Sequence, residues 1–128
     1  MIYGNKLDKI ALCEESIYKG NGVSISIDVD KNRNYGDKPY VKIYNDENYR
    51  KATKIARISV SEKPEYIIHK DSKQPWNLNA KEKQKINDIF STKRPNVGNY
   101  SNCDSILDAI KSGYSKTNAK IDIDKFKL

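Results

Sequence analysis

Histidine and cysteine are the side chains of this sequence that could act in catalysis or hold a metal. His69 is the only histidine, and Lys70 and Asp71 follow it, so it could serve as a general base. A cysteine–histidine pair would require Cys13 or Cys103 to meet His69 in space, and no local motif indicates this. Two cysteines and one histidine are too few for a four-ligand zinc site. The sequence therefore predicts no catalytic set, no metal and no cofactor.

One acidic segment has the spacing of a calcium-binding loop. Asp28, Asp30 and Asn32 would occupy its first, third and fifth positions. The sixth position is Arg33 where glycine is needed, and the twelfth is Pro39 where glutamate is needed. The pattern predicts a strand that ends in a turn, without a calcium site.

Basic and aromatic residues form the most promising binding pattern. If Val41 and Ile43 face the core of a strand, then their neighbours share the opposite face with residues of a later strand. Tyrosine can stack on bases or pack against a protein, while lysine and arginine bind phosphates and carboxylates. The alternative is that these side chains only make cross-strand pairs. The candidate binding residues are Tyr40, Lys42, Tyr44, Tyr49, Arg50, Lys51, Lys54 and Arg57.

The strands that would position these residues lie between Gly22 and His69. Apolar and polar residues alternate there in short runs separated by polar loops, which is typical of antiparallel strands with one buried face. The sequence predicts an α+β fold in a single domain of residues 1–128, with about four strands in this sheet. The four runs are 23–29, 39–45, 55–61 and 66–69.

Helices are predicted on both sides of this sheet segment. Apolar spacing indicates an N-terminal helix near residues 6–18. Asn79 could cap a helix over 79–92, and Ser101 a second one over 102–112. Residues 120–124 could add an edge strand. Trp76, just before the first of these caps, is expected to seal the junction of sheet and helix.

Charge restricts the classes of partner. The 128 residues include 24 Lys and Arg against 17 Asp and Glu, a formal charge of +7. Such a field attracts nucleic acid or an acidic protein surface, although a general bias towards lysine and asparagine would give the same excess. No apolar run has the length of a signal peptide or approaches the ~20 residues of a membrane span. A cytoplasmic protein without membrane contact is expected.

Three short motifs and a helix resemble an uncharacterised family of short prokaryotic proteins. They are residues 39–43 (PYVKI), 56–59 (ARIS), a turn at 64–65 (PE) and the helix from Ala80, and together they span about half of the chain. In that family the first strand is of Pro-His-Phe-His-Val type. Tyr40 and Lys42 replace its two histidines here, so no role of those histidines is carried over. The resemblance implies a small sheet-and-helix domain of bacterial or mobile-element origin, and it implies no reaction.

Three functions are compatible with these observations. The first is a non-enzymatic binding protein, encoded by a phage or mobile element, that engages nucleic acid or a nucleoprotein through the basic and aromatic residues. The second is a protein inhibitor or adaptor, such as a phage inhibitor of a host defence complex of the CRISPR effector type. The third is a small basic ribonuclease-type toxin that uses His69 and Lys70. The sequence leaves the oligomeric state open.

Overall fold

The structure is a computed structural model that describes residues 14–28, 40–60, 66–67, 76–115 and 126–128. Within these residues five strands form one antiparallel sheet, in which each strand pairs with the next along the chain. The predicted α+β fold and its antiparallel sheet are confirmed, and the sheet begins earlier than residue 22. The strands are β1 (Glu14–Gly20), β2 (Val23–Asp28), β3 (Tyr40–Tyr44), β4 (Ile55–Ser59) and β5 (Tyr66–Ile67).

The first strand lies where the sequence predicted a helix. The helix expected near residues 6–18 is wrong for residues 14–18, which belong to β1, and residues 6–13 lie outside the described residues. The register with β2 shifts between Ser16 and Tyr18, and this bulge brings both Ile17 and Tyr18 into the core. Two adjacent buried side chains break the alternation typical of a strand, so the segment looked like one stripe of a helix.

Asn21 and Gly22 form the turn between β1 and β2. Their φ angles are 55° and 79°, in the left-handed region that a two-residue type I′ hairpin requires and that Asn-Gly adopts readily. The Asn21 amide also donates a hydrogen bond to the Tyr18 hydroxyl at 2.6 Å. Asn21 and Gly22 therefore build a hairpin turn just after the segment where a helix was expected.

Two helices pack on one face of the sheet. The first, α1 (Ala80–Thr92), begins with the predicted cap Asn79, which forms a capping box with Glu82. The second, α2 (Ile106–Tyr114), begins about one turn later than the predicted 102–112. Its cap is Ser105, which accepts the N–H of Asp108, because this pair adjoins the apolar run more closely than Ser101 does.

The core joins the sheet and both helices in one cluster. Trp76 belongs to it, and its indole N–H donates to Glu82 Oε2 at 2.8 Å, so the predicted seal at the sheet–helix junction is confirmed. Burial of each large apolar side chain contributes about 1.5–3 kcal/mol. The largest side chains buried completely are those of Tyr114, Phe90, Ile17, Ile25, Ile27, Ile43, Ile58, Ile86, Ile106 and Ile110.

The loop between the helices protects the outer edge of β1. The Asn96 N–H donates to the Ile17 carbonyl at 3.0 Å, and the Asn96 side chain bonds both backbone groups of Lys19 at 2.9 and 2.7 Å. Gly98 has a φ of 79°, and a Cβ there would lie 2.6 Å from the carbonyl oxygen of Ser16. Loop and glycine together satisfy a strand edge that would otherwise be open to a second chain.

Two expected features fall outside the described residues, namely the possible strand at 120–124 and the segment around His69. No helix in the described part of the chain is long and apolar enough to cross a membrane.

Candidate functional site

The eight candidate binding residues fall into two groups in the structure. Tyr40, Lys42, Tyr44 and Arg57 lie on β3 and β4, on the sheet face opposite the apolar side chains of those strands. Tyr49, Arg50, Lys51 and Lys54 lie on the loop between those strands. In the first group Tyr44 is buried and the other three residues are partly buried, whereas in the second group Arg50 and Lys51 are exposed and the other two are partly buried.

The strand group is built around a buried contact with β1. The Tyr44 hydroxyl donates a hydrogen bond to Glu14 Oε1, and Lys42 Nζ lies 3.3 Å from Glu14 Oε2. Tyr44 is only 8% exposed, and the side chains of Lys42 and Glu14 are 15% and 25% exposed. Lys42 and Tyr44 therefore do not form the open strand face that the sequence suggested.

This contact crosses β2, which lies between β1 and β3. The residues of β2 on this face are Ser24, Ser26 and Asp28, all buried, and Ser26 is paired with Lys42 in the register. Serine side chains are short, so the longer side chains of β1 and β3 can meet above them. The Ser-x-Ser pattern of β2 is thus what lets Glu14 reach Tyr44.

Burial raises the pKa of the Tyr44 phenol above its ordinary value, and the hydrogen bond to Glu14 and the charge of Glu14 raise it further. The positive charge of Arg57, which lies opposite Lys42 in the register, acts in the other direction. Tyr44 is therefore a permanently protonated donor at neutral pH. Its role in the structure is to hold β1 against β3.

Tyr40 marks the opposite end of the sheet from the loop group. Its carbonyl accepts a hydrogen bond from the Tyr114 hydroxyl at 2.8 Å, and that same hydroxyl accepts from the Asp28 N–H at 3.0 Å. The C-terminal end of α2 is therefore fixed to the ends of β2 and β3 that lie away from the Asn21–Gly22 turn.

The loop group is carried by residues 45–54, which we call the β3–β4 loop. The side chain of Asn45 accepts the N–H groups of Thr53 and Lys54 at 3.0 and 2.9 Å and donates to Thr53 Oγ1 at 3.1 Å. Asn48 caps a short 3₁₀ turn, Tyr49–Lys51, by accepting the Arg50 N–H at 3.1 Å. Two asparagines therefore give this loop one defined conformation.

A small apolar cluster anchors the β3–β4 loop to the sheet. Tyr44, Ala52 and Ile55 are buried together, and Tyr49 packs against them with its ring 5.8 Å from that of Tyr44. The guanidinium of Arg50 lies over the Tyr49 ring at 5.7 Å, and its Nε donates to the Tyr49 hydroxyl at 3.3 Å. Tyr49 therefore lies between Tyr44 and Arg50 and orients the arginine.

The outward-facing cations of this loop are Arg50, Lys51 and Lys54. Arg50 and Lys51 are exposed, and Lys54 is partly exposed. The hydrogen bond to Tyr49 raises the pKa of Arg50 above its ordinary value, so its charge is fixed. Lys51 and Lys54 form no ion pair with any residue in the ranges that the structure describes. The loop therefore presents three cations against the two carboxylates of Asp46 and Glu47, a net formal charge of +1.

A second polar cluster lies at the edge of β1. Burial raises the pKa of the Tyr100 phenol, and the negative charge of Glu15 raises it further. The Cys103 N–H donates to the Tyr100 carbonyl at 3.0 Å, and the Cys103 thiol is free and partly buried against the core. These contacts hold the turn before α2 against β1. Within the described ranges no group of three or more acidic, histidine or cysteine side chains could hold a metal ion.

Several residues of the site were not singled out from the sequence. Glu14 was assigned to a helix, Asn45 to the end of a strand, and Asn48 to a polar loop. Asn-rich loops are a known signal for side-chain capping of turns, and that signal could have identified Asn48. Nothing in the sequence could have identified Glu14, because its partners lie about thirty residues away on a strand that is not its neighbour.

Comparisons of the chain with family models, with curated proteins and with solved structures found no match.

Proposed function

We propose that this protein is a non-enzymatic binding protein that holds nucleic acid by its phosphodiester backbone. The observation that carries the proposal is the β3–β4 loop, a hydrogen-bonded loop that presents Arg50 and Lys51 on an exposed 3₁₀ turn and the partly exposed Lys54 three residues further on. Preformed cationic loops bind polyanions well because little conformational entropy is lost on binding.

The chemistry of the three cations supports a phosphate ligand. A guanidinium donates two parallel hydrogen bonds to a phosphate, and the guanidinium of Arg50 is held 5.7 Å from the centre of the Tyr49 ring by its Nε bond to the Tyr49 hydroxyl. Lysine adds positive charge but imposes no fixed hydrogen-bond geometry, which suits a nucleic-acid backbone that can shift along the protein surface. The overall charge of +7 favours approach of any polyanion from a distance.

The state of the tyrosines favours contact with the backbone over contact with bases. Tyr44 is buried, and the partly buried Tyr49 packs against Tyr44 and Arg50. Both rings already make contacts within the protein, which leaves less of their faces open to a base. Binding is therefore expected to be independent of base sequence and to be governed by salt.

The test is fluorescence anisotropy with a labelled DNA duplex, titrated at several salt concentrations. We expect log affinity to fall linearly with log salt. A variant with Arg50→Gln, Lys51→Gln and Lys54→Gln should bind at least about tenfold more weakly at low salt, and its salt slope should be smaller by up to about 2.7, since each neutralised phosphate contributes about 0.9.

Lys111→Gln is the matched control. Lys111 is exposed in the last turn of α2, towards the end that Tyr114 fixes to Tyr40. Its loss should leave both affinity and slope unchanged. No detectable binding, or binding that salt does not weaken, would refute the proposal, and capture of an acidic protein without nucleic acid would support the adaptor function in its place.

A further inference from the structure

A shallow groove runs between α1 and the hairpin turn at Asn21. It has a volume of about 310 Å³ and is open to solvent. Its apolar floor includes Ile89, and its rim is polar and predominantly basic. The polar residues that matter here are Asn21, Lys81, Gln84, Lys85, Asp88 and Lys93.

The three lysines of the groove are exposed cations that pair with no carboxylate in the described residues. Lys81, Lys85 and Lys93 are all exposed, and none of them forms an ion pair with another residue of the described ranges. The single carboxylate on the rim is that of Asp88. The groove therefore carries a net positive charge next to amide donors from Asn21 and Gln84.

The placement of these charges does not help α1 to fold. Lys81 is the second residue of the helix, where the helix dipole favours negative side chains. Lys81 and Lys85 are also four residues apart, where like charges repel, although Glu82 and Asp88 attract Lys85 from three residues before and after it. Lys81 therefore gains little from its place in the helix, and its charge is exposed to solvent.

The groove adjoins the β3–β4 loop through the hairpin turn. The Gly22 N–H donates to Glu47 Oε2 of that loop at 3.3 Å. On the other side, Lys85 Nζ lies 3.9 Å from the position that a Cβ of Gly22 would take. Because β2 and β3 are antiparallel, the hairpin turn and the β3–β4 loop lie at the same end of the sheet.

We propose that the α1 groove is a second phosphate-binding surface, and that one nucleic-acid backbone runs from the β3–β4 loop across the Asn21–Gly22 turn into it. This inference rests on the proposed function and deepens it. The ligand class is a continuous phosphodiester backbone that spans both cationic surfaces, and a single phosphate or a mononucleotide would occupy only one of them.

The test uses the same labelled DNA duplex and the full chain with Lys81→Gln, Lys85→Gln and Lys93→Gln. We expect binding at least about tenfold weaker at low salt, with a salt slope smaller by up to about 2.7. Combining these changes with those of the β3–β4 loop should lower the slope by the sum of the two effects. Removal of Lys81 and Lys85 should also leave the midpoint of urea unfolding unchanged or slightly higher.

The possible outcomes separate the two proposals. If the wild type binds and the groove variant keeps the wild-type affinity and slope, the groove inference is wrong while the proposed function stands. If the wild type itself does not bind, both are wrong. If the groove variant binds weakly and also unfolds at lower urea, a variant with Lys81→Gln, Lys85→Arg and Lys93→Gln decides. A salt slope larger than that of the triple Gln variant supports a phosphate contact at residue 85, and an equal slope overturns it.

Discussion

Gly98 is the residue whose lack of a side chain allows the loop between the helices to reach β1. Its φ of 79° is unfavourable for other residues, and an added Cβ would meet the Ser16 carbonyl oxygen at 2.6 Å. Gly98→Ala should lower the free energy of unfolding by more than about 2 kcal/mol, since backbone strain and a backbone clash add. Urea unfolding followed by circular dichroism measures this.

Gly22→Ala is the matched control for that substitution. Gly22 has the same φ of 79°, but the nearest atom to an added Cβ is Lys85 Nζ at 3.9 Å. It should therefore show the strain alone, about 1 kcal/mol. Equal losses for the two variants would show that the contact with Ser16 does not matter.

Tyr44 should make the stability of the protein depend on alkaline pH. Its pKa is raised in the folded state, so its stabilising effect is complete below about pH 10 and is lost as pH rises further. Tyr44→Phe removes the donor to Glu14 and should cost about 1–3 kcal/mol at neutral pH. The difference between wild type and variant should shrink when urea unfolding is repeated above about pH 10. A difference that stays constant with pH would contradict this role.

For single residues, the sequence predicted which cations belong to the site but did not predict which side chains surround them. Arg50, Lys51 and Lys54 could be predicted as surface charges because they sit in a polar loop. That Lys42 and Tyr44 are buried could not be predicted, because their partner Glu14 comes from β1 and reaches them across β2.

Among the elements, the β3–β4 loop owes its shape to Asn45. Asn45→Ala removes no charge but deletes the bonds to Thr53 and Lys54. We expect DNA affinity to fall roughly threefold to tenfold with an unchanged salt slope, because the loop must then be ordered on binding. Anisotropy titrations measure both quantities. Asn102→Ala, an exposed site in the turn before α2, should change neither, and an Asn45 variant with wild-type affinity would show that loop order is unimportant.

Some elements could be predicted from local sequence signals alone. Strands β2 to β4 and helix α1 follow from alternation and from the Asn79–Glu82 capping box, both of which are local signals. The bulge in β1 hid its strand character, because Ile17 and Tyr18 are adjacent and both buried. A bulge is decided by pairing with β2, so no window of β1 alone reveals it.

Across the described part of the molecule, the exposed cations of the β3–β4 loop and of the α1 groove lie at the same end of the sheet. The β3–β4 loop, the hairpin turn and the α1 groove all lie there, and the Gly22–Glu47 hydrogen bond joins them. The opposite end is fixed by Tyr114 to Tyr40 and Asp28. The proposed nucleic-acid contact uses this end of the sheet, although the positive charge is spread evenly along the sequence.

The most direct test of this arrangement is a titration of the isotope-labelled protein with a DNA duplex, followed by the backbone amide resonances in NMR spectra. We expect the amide resonances of residues 19–22, 45–54 and 81–93 to shift, and added salt to reverse these shifts. The amide resonances of Lys111 and Tyr114 should not move. Shifts centred on the Tyr40–Tyr114 end, or no shifts at low salt, would contradict it.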